Sequence, residues 1–296
     1  MKPLISNQKL RGAYYTPAPI AEFLSKWAIR SATDKILEPS CGDGVFLEAT
    51  AKTLKDLKKR PSDIHKQLKA IEIDKSEALK AQNRLNTLGI VGKNVVTIGD
   101  FFSTYKNRIS EERFDVVIGN PPFVRFQNFP DDQRQIAFEI MRGMGLHPSG
   151  LTNAWLPFIC ASTKLLTSTG RMAFVVPAEL LQVNYAAELR LFLSTHFRRI
   201  KIFTFRKLVF SGILQEVVLI CAERGTTGAT GITIIELDDI QDLETHIHAE
   251  TAEDRLKPID HSTEKWTQYF LTQNEILLLR HLQTHPKLFS LGKLAS

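Results

Sequence analysis

Cysteine is scarce: Cys41, Cys160 and Cys221 are the three in 296 residues. Their odd number and wide spacing exclude a disulfide framework and a cysteine metal cluster, and a reducing cytoplasm suits them. No uninterrupted apolar run reaches about 18 residues, so no membrane-spanning helix is expected. The opening "MKPLISNQKLRGAYYTP" lacks the apolar core of a secretory signal. Paired histidines are also missing, apart from "HIH" at 246–248 in a polar stretch, and no metal site is expected. What is present is ordinary globular composition, 43% hydrophobic and 24% charged. The length allows one large domain, with or without a small appendage. The net charge of +6 is compatible with a polyanionic partner, although "AKTLKDLKKR" (51–60) carries much of it and reads as the solvated face of a helix.

Short apolar segments alternate with longer amphipathic ones. Strands are expected at 35–39, 68–74, 95–102, 114–122, 170–177, 198–205 and 216–223, with helical patterns such as "KSEALKAQNRLNTLG" between them. Such alternation implies an α/β, Rossmann-like fold, a mainly parallel seven-stranded sheet with helices on both faces. The stretch 226–262 reads as a linker with one edge strand. Residues 263–296 read as the helical start of another unit.

In parallel sheets ligands sit beyond the carboxyl ends of the strands. Polar residues gather at that edge: Glu38 to Gly44, Glu72, Asp100, and Asn120 to Phe123. In "EPSCGDGVFL" (38–47), Gly42 and Gly44 permit a tight turn, while Glu38 and Asp43 would repel a pyrophosphate and welcome a cationic amino-acid ligand. Glu72 can accept both hydroxyls of an unphosphorylated ribose. Asp100 can accept from the exocyclic amine of an adenine, with the Phe101 ring beside that base. The competing reading makes these acids helix caps and surface charges.

The segment "GNPPF" (119–123) follows the apolar "FDVVI" directly. Pro121 and Pro122 cannot continue a hydrogen-bonded ladder, so the chain leaves the sheet as a stiff loop. The Asn120 side-chain carbonyl and the Pro121 backbone carbonyl can accept both N–H groups of a conjugated amine and localise its lone pair. Phe123 offers a face for a stacked base.

Taken together, "GAYYTP" (12–17), "EPSCGDGVFL", "IEID", "GDFF", "NPPF", "GRMAFVVP" and "FSGILQEVVLI" (210–220) resemble, in order, the motifs of S-adenosylmethionine-dependent DNA adenine-N6 methyltransferases of the gamma class. The resemblance covers about residues 11–223 and extends to the large adenine methylases of restriction-modification and phage-defence systems. It implies Tyr15, Thr16, Glu38, Ser40, Gly42, Asp43, Gly44, Glu72, Ile73, Asp100, Phe101 and Asn120 as cofactor-binding residues, with Thr16 at the methionine carboxylate. It implies Asn120, Pro121, Pro122 and Phe123 as the catalytic loop, and Phe123 and Phe210 as the pair stacking on a flipped base. S-adenosylmethionine is the implied cofactor. Double-stranded DNA is the implied partner, read by a target-recognition domain that is C-terminal or carried by a separate protein. Three alternatives remain open: a protein glutamine-N5 methyltransferase, an RNA base methyltransferase, or a cofactor-binding fragment that is catalytically incomplete. Segment 124–150, with Arg125, Arg134 and Arg142 among aromatics, reads equally as a DNA-facing surface or a helical lid.

Overall fold

The computed structural model describes residues 15–92, 95–124, 128–207, 216–246, 256–286 and 288. Gly12 to Tyr14, Arg125, Phe210 with the rest of 208–215, Ile247 and His248 of the "HIH" stretch, and residues 289–296 lie outside the described residues.

The chain enters through α1 (Ala18–Ala28), where Pro17 and Pro19 set helical φ values in advance and Ile20, Phe23 and Leu24 are buried. Strand β1 (Ile36–Glu38) leads through a glycine turn into α2 (Val45–Asp56). Strand β2 (Leu68–Glu72) leads into α3 (Lys75–Thr87), capped by Asp74, whose carboxylate accepts from the Ser76 and Glu77 amides. Strand β3 (Val96–Ile98) precedes a helical turn at Phe101–Thr104, and β4 (Phe114–Gly119) ends at the Asn-Pro-Pro loop. After α4 (Asp131–Arg142) and α5 (Trp155–Leu165) come β5 (Leu166–Pro177), α6 (Ala187–His196), β6 (Arg199–Phe205), β7 (Val217–Glu223) and β8 (Gly231–Leu237).

Eight strands form one sheet in the order β3-β2-β1-β4-β5-β7-β6-β8. All pairings are parallel except those of β7, which runs antiparallel between β5 and β6. The strand beyond the expected seven is β8, parallel to β6 at the sheet edge. Side chains of β4 alternate across the sheet: Val116 and Ile118 join a core under α1, α2 and α3, while Val117 joins one under α4, α5 and α6. Both faces are thus covered, as a parallel sheet requires.

The segment after β8 packs onto this fold. Trp266 and Tyr269 are each 1% exposed and belong to the α4–α6 core. Buried Arg190 on α6 donates to the carbonyls of Glu264 (2.8 Å), Thr263 (3.0 Å), Val183 (3.0 Å) and Leu180 (3.1 Å), pinning residues 263–264 to the turn after β5. Helix α7 (Gln273–Thr284) begins with a Thr272–Glu275 capping box and buries Ile276. Among the described residues no helix is long and apolar enough to cross a membrane.

Candidate active site

Four neighbouring strands, β3, β2, β1 and β4, deliver their carboxyl ends to one edge, and their loops are stitched together there. Glu72 ends β2 with both carboxylate oxygens engaged: Oε2 accepts the Gly42 N–H at 2.8 Å and Oε1 the Asp74 N–H at 2.8 Å. The Cys41 N–H donates to the Ile71 carbonyl at 2.9 Å. The turn after β1 is therefore moored to β2 at two points. Gly42 has φ +50 and Gly44 φ +88, a region that L side chains seldom adopt. They serve different ends. A Cβ on Gly42 would meet nothing within 4 Å, whereas one on Gly44 would lie 2.7 Å from the Ala81 Cα of α3. Gly44→Ala is expected to destabilise the fold by about 1–3 kcal/mol through strain and overpacking, read by denaturant unfolding.

Glu38 closes β1 at 1% exposure, and its Oε2 has no hydrogen-bond partner among the described residues. Burial pushes its carboxyl well above the usual 4.5, and the neighbouring Glu72 and Asp43 carboxylates push it further. Burial also raises Glu72 and Asp100. The folded protein therefore holds a proton on Glu38 more tightly than the unfolded chain does. Its contribution to stability is full below pH 4.5 and is lost as pH rises through the folded pKa. Glu38→Gln is expected to flatten that decline, so that the ligand-free variant exceeds the native protein in thermal stability at neutral pH and matches it at acidic pH.

Asn120 begins the loop after β4. Its Nδ2 donates to the Thr16 hydroxyl at 3.2 Å, and its backbone carbonyl accepts from Ser40 Oγ at 3.3 Å. Pro121 is buried, Pro122 and Phe123 are half-buried, and Phe123 touches the cores of both sheet faces. The Ala154 N–H donates to the Val124 carbonyl at 2.9 Å, fixing the end of the loop. The rigid Asn-Pro-Pro-Phe loop thus stands next to the acid-lined strand ends.

A family model described as Eco57I restriction-modification methylase matches residues 24–210. The chain belongs to the Eco57I restriction-modification methylase family. Type II methyltransferase M.AccI of Acinetobacter calcoaceticus is 27% identical over 283 residues, covering 92% of this chain and 49% of that protein. A tRNA1(Val) (adenine(37)-N6)-methyltransferase of Trichodesmium erythraeum is 27% identical over 156 residues, covering 53% of this chain and 58% of that one. The type I restriction-modification methyltransferase subunit from Streptococcus thermophilus superposes with TM-score 0.66 at 18% identity, covering 84% and 56% of the two chains. At that identity the likeness shows the fold alone. The chain spans about half the length of the type II relative.

Within this member of the family the expected edge residues do not all face outward. The Phe101 ring, expected beside a base, is 3% exposed and stacked on Phe158 with centroids 4.9 Å apart. Core packing takes the ring, because it begins the helical turn that covers the sheet, and leaves the residue's backbone at the strand end. The half-exposed apolar side chains there are Ile73 (53%) and Ile98 (52%). Asp43 is bound by Arg84 of α3, which also pairs with Glu48, so its charge is already answered within the protein. Asp100 is both an edge acid and a helix cap, accepting the Ser103 N–H at 2.7 Å. Tyr15 is 52% exposed and donates to the Glu77 carboxylate.

Sequence reasoning missed three contributors. Arg84 sits in a helix with no motif of its own. Phe129 lies edge-on to Phe102 at 6.1 Å, bringing the chain beyond the loop back over the β3 end. Asp132 at the start of α4 raises Asp100 further by its charge. In the described part of 124–150, Arg134 is tied to Asp131 and Arg142 lies over the Phe138 ring at 5.5 Å, so both guanidiniums have partners on their own helix.

Proposed function

We propose that this chain carries the catalytic domain of an enzyme that transfers a methyl group from S-adenosylmethionine to the N6 amine of adenine in duplex DNA, within a restriction-modification or related defence system. The observation that carries this reading is the placement of Asn120, gripped by Thr16 and Ser40, beside the edge formed by Glu38, Gly42, Glu72 and Asp100. Likeness to the type II methyltransferase M.AccI supports methyl transfer, and likeness to the tRNA (adenine-N6)-methyltransferase supports adenine N6.

The edge suits the cofactor by its donor set. Glu38 Oε2, buried and without a partner among the described residues, would accept an ammonium group. The space over Gly42 admits a ligand close to the backbone. Glu72 keeps lone pairs for ribose hydroxyls after accepting two backbone N–H groups, since a carboxylate has about four such sites. Ile73 and Ile98 offer apolar surface to a purine, and Asp100 would accept from its amine. Bound there, S-adenosylmethionine supplies a sulfonium-activated methyl group.

The protein's own task is to present the amine. Asn120 Oδ1 and the Pro121 carbonyl would each accept one N–H, drawing the nitrogen lone pair out of conjugation and fixing its direction. The two prolines and the grip on Asn120 set these acceptors in advance, so little reorganisation accompanies reaction. Rotating the base out of the duplex costs a few kcal/mol, and stacking on Phe123 would recover about 1–3 kcal/mol. Phe210, the other proposed stacking ring, lies outside the described residues.

The test is incubation of the protein with labelled cofactor and, separately, unmethylated duplex DNA and tRNA. Label in DNA alone supports the reading. Label in tRNA alone would favour the second reading, RNA methylation, to which the tRNA enzyme's likeness points. Because the type II relative is about twice as long, sequence-selective DNA reading is proposed to need a target-recognition domain, C-terminal or on a separate protein.

A further inference from the structure

We infer that Thr16 and Ser40 are positioning residues for Asn120: Ser40 fixes its backbone carbonyl, and Thr16 holds its side-chain amide in the place where it meets the substrate. The inference rests on the proposed role of Asn120 as an acceptor.

The grip comes from two distant segments. Thr16 lies 104 residues before Asn120 in the chain and Ser40 lies 80 before it. Thr16 is 7% exposed and directly precedes Pro17, whose carbonyl accepts from the Ile20 and Ala21 amides as α1 begins. Since α1 is buried against the sheet through Ile20, Phe23 and Leu24, the Thr16 hydroxyl sits on a fixed platform. Ser40 belongs to the turn that Glu72 and Ile71 moor to β2. Asn120 is thus clamped from rigid parts of the fold at its main chain and at its side chain.

In the native contact the amide nitrogen faces Thr16. A carboxamide is planar, with a donor-only nitrogen and an acceptor-only oxygen on opposite sides. With Nδ2 turned to Thr16 Oγ1, the oxygen is turned away from it. Reversed, the amide would present N–H groups to an amine that must itself donate, a donor facing a donor. A valine at position 16 keeps the shape and removes the hydroxyl, so the amide loses the hydrogen bond that holds it in place. Serine keeps the hydroxyl. A residue that only held the cofactor would behave differently, because its loss would weaken cofactor binding and leave the saturated rate alone.

The experiment compares Thr16→Val, Thr16→Ser and Ser40→Ala with the native chain. It measures the dissociation constant of S-adenosylmethionine by calorimetry and the single-turnover rate of methyl transfer to unmethylated duplex DNA at saturating cofactor. The expected result for Thr16→Val is a rate at saturating cofactor lower by about 10²-fold, the cost of roughly 1 Å of misplacement at a reacting group, over and above any loss of cofactor affinity from its expected contact with the methionine carboxylate. Thr16→Ser should restore the rate, and Ser40→Ala should show a smaller loss of the same kind. A Thr16→Val chain with weakened cofactor affinity and an undiminished saturated rate would overturn the inference. Should the native chain transfer no label at all, the proposed function fails. The Asn120 side chain in crystals of Thr16→Val then decides the positioning role. An amide group displaced from its native position supports it, and an unmoved amide overturns it.

Discussion

Asn120→Ala is expected to lower single-turnover methyl transfer by about 10²–10³-fold, the usual consequence of deleting one preorganised hydrogen-bonding group at a reacting centre. Affinity for S-adenosylmethionine should change by less than about threefold, or roughly 0.6 kcal/mol. The separation follows from the geometry. The acids and glycines proposed to hold the cofactor sit on the turns after β1, β2 and β3, and Asn120, on the loop after β4, meets that side through Ser40 and Thr16. Alanine keeps the backbone carbonyl that Ser40 holds and removes the amide that Thr16 orients. Asn120→Asp is a sharper control, since it keeps an acceptor and loses the donor to Thr16, and it should retain more activity than alanine.

Glu72→Ala should produce the opposite phenotype. Both carboxylate oxygens accept backbone N–H groups, from Gly42 and Asp74, and each such charge-assisted bond contributes about 1.5–3 kcal/mol. Their loss frees the turn after β1 from β2 and also removes the proposed ribose acceptor. Cofactor affinity should fall by about 10²-fold, close to 2.7 kcal/mol, and calorimetric titration measures it directly. Glu72→Gln keeps one acceptor oxygen but turns an N–H donor toward a backbone N–H, so it should rescue only part of the loss. If Asn120→Ala lost cofactor binding and Glu72→Ala lost only the saturated rate, the division of roles would be inverted.

The order of strands and the location of the edge are legible in the sequence because local signals mark them. Gly42 and Gly44 punctuate the turn after β1, Pro121 and Pro122 end β4, and each acid follows an apolar run of strand length. Other features depend on which elements become neighbours, which one-dimensional patterning does not encode. The antiparallel course of β7 between β5 and β6 is one, since its apolar sequence reads like its parallel neighbours. The burial of Phe101 is another: its spacing puts it at the strand end, and a helical turn swings the ring onto Phe158. Asp43 reads as a ligand acid in the sequence, yet α3 brings Arg84 within its reach. Packing of Trp266 and Tyr269 against the α4–α6 core depends on Arg190 capturing two carbonyls more than 70 residues away. The contact from Thr16 to Asn120 is of the same kind, invisible to any motif window.

The central claim is that carbonyl acceptors on the loop after β4 present an adenine amine for methylation. Mass spectrometry of nucleosides tests it most directly, using duplex DNA treated with the purified protein and isotope-labelled S-adenosylmethionine, with any separate specificity protein supplied. The account predicts label in N6-methyldeoxyadenosine that disappears with Asn120→Ala. Label confined to a methylated cytosine, or to protein glutamine, would contradict it.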